Sequence, residues 1–164
     1  MTPEKENPNL KYAGYQIAQW TWGLPQTLAG LALSLYYRNC PQETFCGAHV
    51  TYWPHKSSLS LGMFLFLTDK PFYYYQKNQK DHNMNTFLQG LKVHEYGHTI
   101  QSLVWGPLYL ITVGLPSVLW ATLPPMKKLR KEKKISYFSV YPENQANRLG
   151  ERFTGIKSIG TPIS

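Results

Sequence analysis

Charge is scarce in this sequence, and negative charge is scarcest. Only 16% of its 164 residues are charged, with 9 acidic against 17 basic side chains. Aromatic residues make up 15% and hydrophobic residues 43%. An average soluble domain carries about 25% charge, so this chain has apolar surface that needs covering. Two cysteines, Cys40 and Cys46, are too few for a disulfide framework, although they are near enough to pair across a turn, and they leave the redox compartment open. The opening MTPEKENPN is mixed in sign and punctuated by proline. An export signal needs a basic start and a compact apolar stretch, so no cleaved signal is expected. Internal repeats and low-complexity tracts are also lacking, and the length suits a single domain over 1–164.

The net charge of +8 first suggests a nucleic-acid partner. Lys127, Lys128, Arg130, Lys131, Lys133 and Lys134 carry most of it, directly after an uncharged stretch from Thr99 to Met126. One basic cluster beside an apolar segment fits an anionic membrane surface at least as well, and a solvated loop is the plainer reading. No nucleic acid is expected as a partner.

Along the chain, residues 1–12 form a loose polar lead and 152–164 a tail. From Ala13 to Tyr37 no residue is charged, and tryptophans, a Gly-Leu-Pro break and an Ala/Leu pattern predict an amphipathic or core helix. Residues 48–53 and 59–67 are apolar and β-prone, and Pro54 to Ser58 between them is turn chemistry, so a hairpin is expected. Residues 68–84 read as a loop. A helix is predicted from Asn85 or Thr86 to Trp105, where Gly106-Pro107 stops it. A short helix follows at 141–150, with Pro142 at its start and Gly150 at its exit.

His94-Glu95-Tyr96-Gly97-His98 matches H-E-x-x-H inside the first of these helices. Histidines four apart share one helix face, so two imidazoles reach one ion. Glu95, turned by about 100 degrees, points beside the metal, where it serves as general base for a water whose pKa a zinc ion lowers to roughly 7. Catalytic zinc keeps three protein ligands and one open position. No glycine-histidine extension follows His98, because Thr99, Ile100, Gln101 and Ser102 come next. A distal carboxylate is therefore needed, and downstream only Glu132, Glu143 and Glu151 are acidic. Glu132 sits in the basic run, which leaves Glu143, at the opening of a helix, as the best third ligand. His49, His55 and His82 are isolated. A structural site from Cys40, Cys46 and His49 has nonstandard spacing.

The segment E-N-Q-A-N at 143–147 resembles the E-x-x-A-D element that follows H-E-x-x-H in gluzincin peptidases, notably the CAAX prenyl protease and membrane heat-shock protease family and the minigluzincins. The resemblance implies Glu143 as a zinc ligand and position 147 as a residue steadying a ligand histidine. Asn147 stands where the family has aspartate: an amide still accepts a histidine N–H but brings no negative charge. Ala146 matches the small residue that lets helices approach. The resemblance also implies that a peptide adds as a strand along a sheet edge, for which 59–67 is the candidate. Tyr73, Tyr74, Tyr75, Tyr137 and Tyr141 are candidate oxyanion donors among which the sequence does not choose.

Residues 103–123 are long enough to cross a bilayer once. One crossing would put His94 and His98 on the opposite side from Glu143, which a shared ion forbids. The segment is therefore expected to bend at Gly106-Pro107 and Gly114-Leu115-Pro116, to lie in the interface or to pack within the protein, unless the chain crosses an even number of times; surface association is favoured, with the basic run on the cytoplasmic side. A chain that stays off the membrane is expected in the cytoplasm. The expectations combine into an α+β, zincin-like domain with a small sheet or hairpin, an H-E-x-x-H helix and apolar helices that associate with a membrane. Its expected activity is zinc-dependent hydrolysis of a peptide or protein substrate, and the alternative is a noncatalytic zinc-stabilised protein that binds a membrane through residues 103–134.

Overall fold

Among the residues that the computed structural model describes, 12–70 and 84–159, there are six α-helices and a four-stranded mixed sheet. The architecture is α+β. Helices α1 (Ala13–Thr21) and α2 (Leu24–Tyr36) come first, followed by strands β1 (Gln42–Phe45), β2 (Ala48–Trp53), β3 (Leu59–Leu61) and β4 (Phe64–Thr68). After the long helix α3 (Met84–Trp105) the chain passes through a 3₁₀ turn (Gly106–Leu108) and a π-helical turn (Leu110–Gly114) into α4 (Leu115–Thr122), α5 (Pro124–Lys133) and α6 (Tyr141–Thr154). The expected loose lead at 1–12 lies outside the described residues except for Tyr12. So do His82, Tyr73, Tyr74, Tyr75 and most of the expected loop at 68–84.

The expected hairpin between 48–53 and 59–67 is not formed. Gly62, at φ +59, breaks the second run in two, and a Cβ there would fall 2.1 Å from Thr27 Oγ1. The halves β3 and β4 pair with each other in antiparallel fashion, and β4 lies parallel to β2, in the order β1-β2-β4-β3. The true hairpin partner of β2 is β1, joined through Cys46 and Gly47, both at positive φ. Alternation along the strands then separates two cores. Ala48, Val50, Leu65 and Leu67 meet Tyr96 and Ile100 of α3 on one face. On the other, Trp53, Phe64 and Phe66 meet Leu31 and Leu33 of α2. Every residue of β4 is buried, as expected of a central strand covered on both faces.

Helix α6 runs past the predicted exit at Gly150 and ends instead at Gly155, which is left-handed at φ +71. Gly150 lies inside the helix, at a contact where a Cβ would sit 2.1 Å from the carbonyl oxygen of Val93 on α3. The close approach of α3 and α6 sets the position of the site.

Among the described residues no single helix is long and apolar enough to cross a membrane. Residues 103–123 do not form one rod: the chain bends by 120° between Met84–Leu108 and Leu110–Thr122. Cys40 and Cys46 are both free thiols.

Candidate metal centre

Helix α3 carries His94, Glu95 and His98 on its buried flank, and α6 brings Glu143 in its first turn, where the helix dipole favours a carboxylate. Gly97 makes the meeting close. A Cβ there would lie 1.9 Å from the carbonyl oxygen of Ala146, so only a bare backbone lets the two helices touch at this height.

Glu143 Oε2 lies 3.2 Å from His94 Nε2 and 3.6 Å from His98 Nε2. One donor atom from each residue falls within 4.8 Å of the others, and Glu143 is 1% exposed. Zinc at about 2.0–2.2 Å from each of its ligands in tetrahedral array separates donors by roughly 3.4 Å. The two histidine–glutamate distances bracket that figure.

Hydrogen-bond accounting says what the cluster lacks. His94 Nδ1 is 2.7 Å from Asn147 Oδ1, and His98 Nδ1 is 2.7 Å from Gln101 Oε1. Which end of Gln101 faces His98 is decided by its other end: Nε2 donates to the carbonyl oxygen of Pro142 at 2.8 Å, and a carbonyl only accepts. Its amide oxygen therefore takes the proton of His98 Nδ1. With both Nδ1 atoms donating, the two Nε2 lone pairs converge on a carboxylate oxygen. Three acceptors facing one another in a buried site require a cation, either a proton on an imidazole or a metal ion. The donor set, two neutral imidazoles and one carboxylate, suits zinc.

The proton balance shows the same demand. Burial opposes charge on His98, but the bond to Glu143 and the charges of Glu143 and Glu95 outweigh it, and the imidazole's pKa is raised to about 9. Burial pushes the Glu143 carboxyl up, yet its bonds to His94 and His98 hold it far below the usual carboxylate range. Ser117, from α4, donates to Glu143 Oε1, which leaves Oε2 to face the rings.

Glu95 stands apart from the three converging groups. Its Oε2 accepts from Ser60 Oγ at 2.6 Å, and its backbone oxygen lies 2.9 Å from the same hydroxyl. Ser60 is the middle residue of β3, an edge strand of the sheet, so the sheet edge and the Glu95 carboxylate are tied together. The expected edge 59–67 thus narrows to β3, because β4 is interior.

Among the candidate tyrosines, Tyr141 is exposed. Tyr137 is held above the ordinary phenol range by burial and by the charge of Glu143, with a Ser117 hydrogen bond partly opposing the rise. Tyr109, absent from the expected set, is shifted the same way by burial, Glu95 and Glu143, and its hydroxyl faces the carbonyl oxygen of Ser60 at 3.4 Å. Phe138 packs edge-on against His94, with centroids 5.2 Å apart.

Cys40, Cys46 and His49 do not form a group of converging ligands. His49 packs against Phe64, and His55 bonds the Tyr37 hydroxyl at 2.5 Å. Gln101, Ser60, Ser117 and Tyr109 are the residues that sequence reasoning missed. Only Gln101 left a signal, since three residues after His98 on a helix is the same face.

In comparisons with known proteins, the chain matches no family model, no curated protein and no solved structure.

Proposed function

We propose that this chain is a zinc-dependent peptidase of gluzincin type with a zincin-like fold, acting at a membrane surface reached through residues 103–134. One observation carries the reading: His94 Nε2, His98 Nε2 and Glu143 Oε2 converge while both Nδ1 atoms face amide oxygens. Glu95 is held beside the cluster by Ser60 rather than spent as a fourth ligand. The order H-E-x-x-H followed by E-x-x-A-N supports the family relationship.

His94, His98 and Glu143 hold the ion, and Asn147 and Gln101 fix the tautomer of each ring. Zinc in this place supplies a Lewis acid and lowers the pKa of water to roughly 7. Glu95 takes the proton from the attacking water as its oxygen bonds to the peptide carbonyl carbon. It then delivers that proton to the nitrogen as the C–N bond breaks. Ser60 keeps the Glu95 carboxylate turned to the β3 edge, where an extended peptide gains backbone hydrogen bonds. Tyr137 and Tyr109, kept protonated by their surroundings, supply O–H groups suited to a developing oxyanion.

Metal analysis and cleavage of a degenerate peptide mixture, followed by mass spectrometry, test the reading. Wild type and Glu95→Gln each retain one zinc, Glu143→Ala loses it, and only wild type cuts. If wild type binds zinc but cuts no better than Glu95→Gln, the noncatalytic zinc-stabilised membrane protein is the better reading. The exposed basic face of α5 already suits it.

A further inference from the structure

Helix α2 buries polar residues deepest, with Leu31 and Leu33 only partly buried against the sheet. Its buried positions are Gln26, Thr27, Gly30 and Ser34, whereas Leu24, Leu28 and Leu35 are exposed on the opposite flank at helical spacing. In α1 Gln19 is likewise the fully buried residue and Ile17 is exposed, while Trp20, 38% exposed, lies edge-on to Phe64. The inner side chains form a polar network with α3, in which only Gln26 Oε1 is left without a partner. Gln19 Nε2 donates to Thr99 O at 2.8 Å, Ser102 Oγ donates to Gln19 Oε1 at 3.0 Å, and Gln26 Nε2 donates to Ser102 Oγ at 2.8 Å and Gly106 O at 3.0 Å. In water the opposite arrangement is favoured, since each buried leucine contributes about 1.5–3 kcal/mol and each buried amide must be fully satisfied.

The apolar face continues past α2. Trp22 packs on the bare backbone of Gly106, where a Cβ would lie 2.2 Å from the indole. Beyond Gly106 the chain exposes Leu108, Ile111, Leu115 and Val118, and α4 buries no residue at all. Neither Ala13–Tyr37 nor Thr99–Met126 contains a charged residue, and the surface ends at α5, whose lysines point to solvent.

We infer that α1, α2 and the bent segment through α4 form one lipid-facing surface, seated in a single leaflet of a membrane with anionic headgroups that α5 meets. The inference deepens the membrane half of the reading above and is independent of the hydrolytic half. Charge complementarity selects the occupant: the uncharged face needs acyl chains, and the lysines at its rim need phosphate. Helices of 9 and 13 residues extend about 14 and 20 Å, short of the roughly 30 Å hydrocarbon layer, and the segment leading into α4 turns by 120° as a re-entrant stretch does, so the face enters the bilayer without crossing it.

The full chain, purified and zinc-loaded, is mixed with vesicles of phosphatidylcholine alone or with phosphatidylglycerol, some carrying brominated acyl chains. Expected are co-sedimentation with the anionic vesicles, quenching of tryptophan emission by the brominated chains, and at least about tenfold weaker binding for the Leu28→Gln/Leu35→Gln pair. That pair keeps its zinc content and helical circular dichroism, because both leucines lie outside the metal cluster and the core. Three outcomes overturn the inference: wild type staying in the supernatant as a monomer, equal binding to neutral vesicles, or a lipid-free oligomer that the leucine pair dissolves. The last result assigns the face to a second copy of the chain. Zinc content and peptide cleavage, measured on the same samples, report separately on the hydrolytic reading.

Discussion

Gly97 of α3 and Ala146 of α6 stand so close that a methyl group on Gly97 would lie 1.9 Å from the alanine's carbonyl oxygen. That contact sets the distance between the helix with two histidines and the helix with the glutamate. In an exposed helix, glycine to alanine gains about 1 kcal/mol of helix propensity. Here overlap with backbone wins, since crowding a packed interface costs about 1–3 kcal/mol, occasionally more.

Gly97→Ala is therefore expected to be destabilised in urea unfolding despite its better helix former, and to bind zinc more weakly because Glu143 is pushed from the rings. Gly150→Ala, whose methyl would meet Val93 O at 2.1 Å, should lose stability in the same way. Unchanged midpoints in both variants would show that the helices are not in contact at these glycines.

Gln101 orients His98 and, through Pro142 and Gln145, also anchors the start of the helix that carries Glu143. Gln101→Leu removes all three bonds at similar size, and losses of such outer partners cost about 10–100-fold in metal affinity. The expected loss is read by zinc competition with a chelating dye, alongside a lower folding midpoint from the buried partners left unpaired. Asn147→Asp is the converse case: a carboxylate behind His94 raises its basicity, so zinc binding should tighten. Equal affinities across all three proteins would show that neither amide positions a ligand.

With zinc stripped by a chelator, stability is expected to peak in mildly acidic solution. Glu143 is depressed from its ordinary 4.5, so its contribution is present above that value and fades as the pH falls through the lower folded one. His98 is raised from 6.5 to about 9, so its contribution is complete below 6.5 and is lost as the pH rises through 9. The metal-free protein should thus lose thermal midpoint from neutral pH toward pH 10, and the zinc-loaded protein should not, because its rings are already deprotonated by the metal. Parallel alkaline profiles with and without zinc would contradict the placement of Glu143 against His98.

The sequence by itself determined the local chemistry. Histidines four residues apart must share a helix face, and Pro142 can open a helix but not sit far inside one. The scarcity of acids left Glu143 as the best downstream carboxylate. These are short-range facts of helix geometry and composition, and they placed His94, Glu95, His98 and Glu143 as candidates before any fold was known. Strand pairing was decided only in three dimensions. Nothing local tells whether β2 pairs with the run that follows it or lies parallel to its second half, and Gly62 divides that run because its neighbour is Thr27, distant in sequence. Gly150 reads as a helix exit in one dimension and becomes a contact point once Val93 stands opposite. Ser60, Ser117 and Tyr109 carry no motif at all. They reach the site because β3, α4 and the turn after α3 converge there, and long-range packing of that kind leaves no trace in residue spacing.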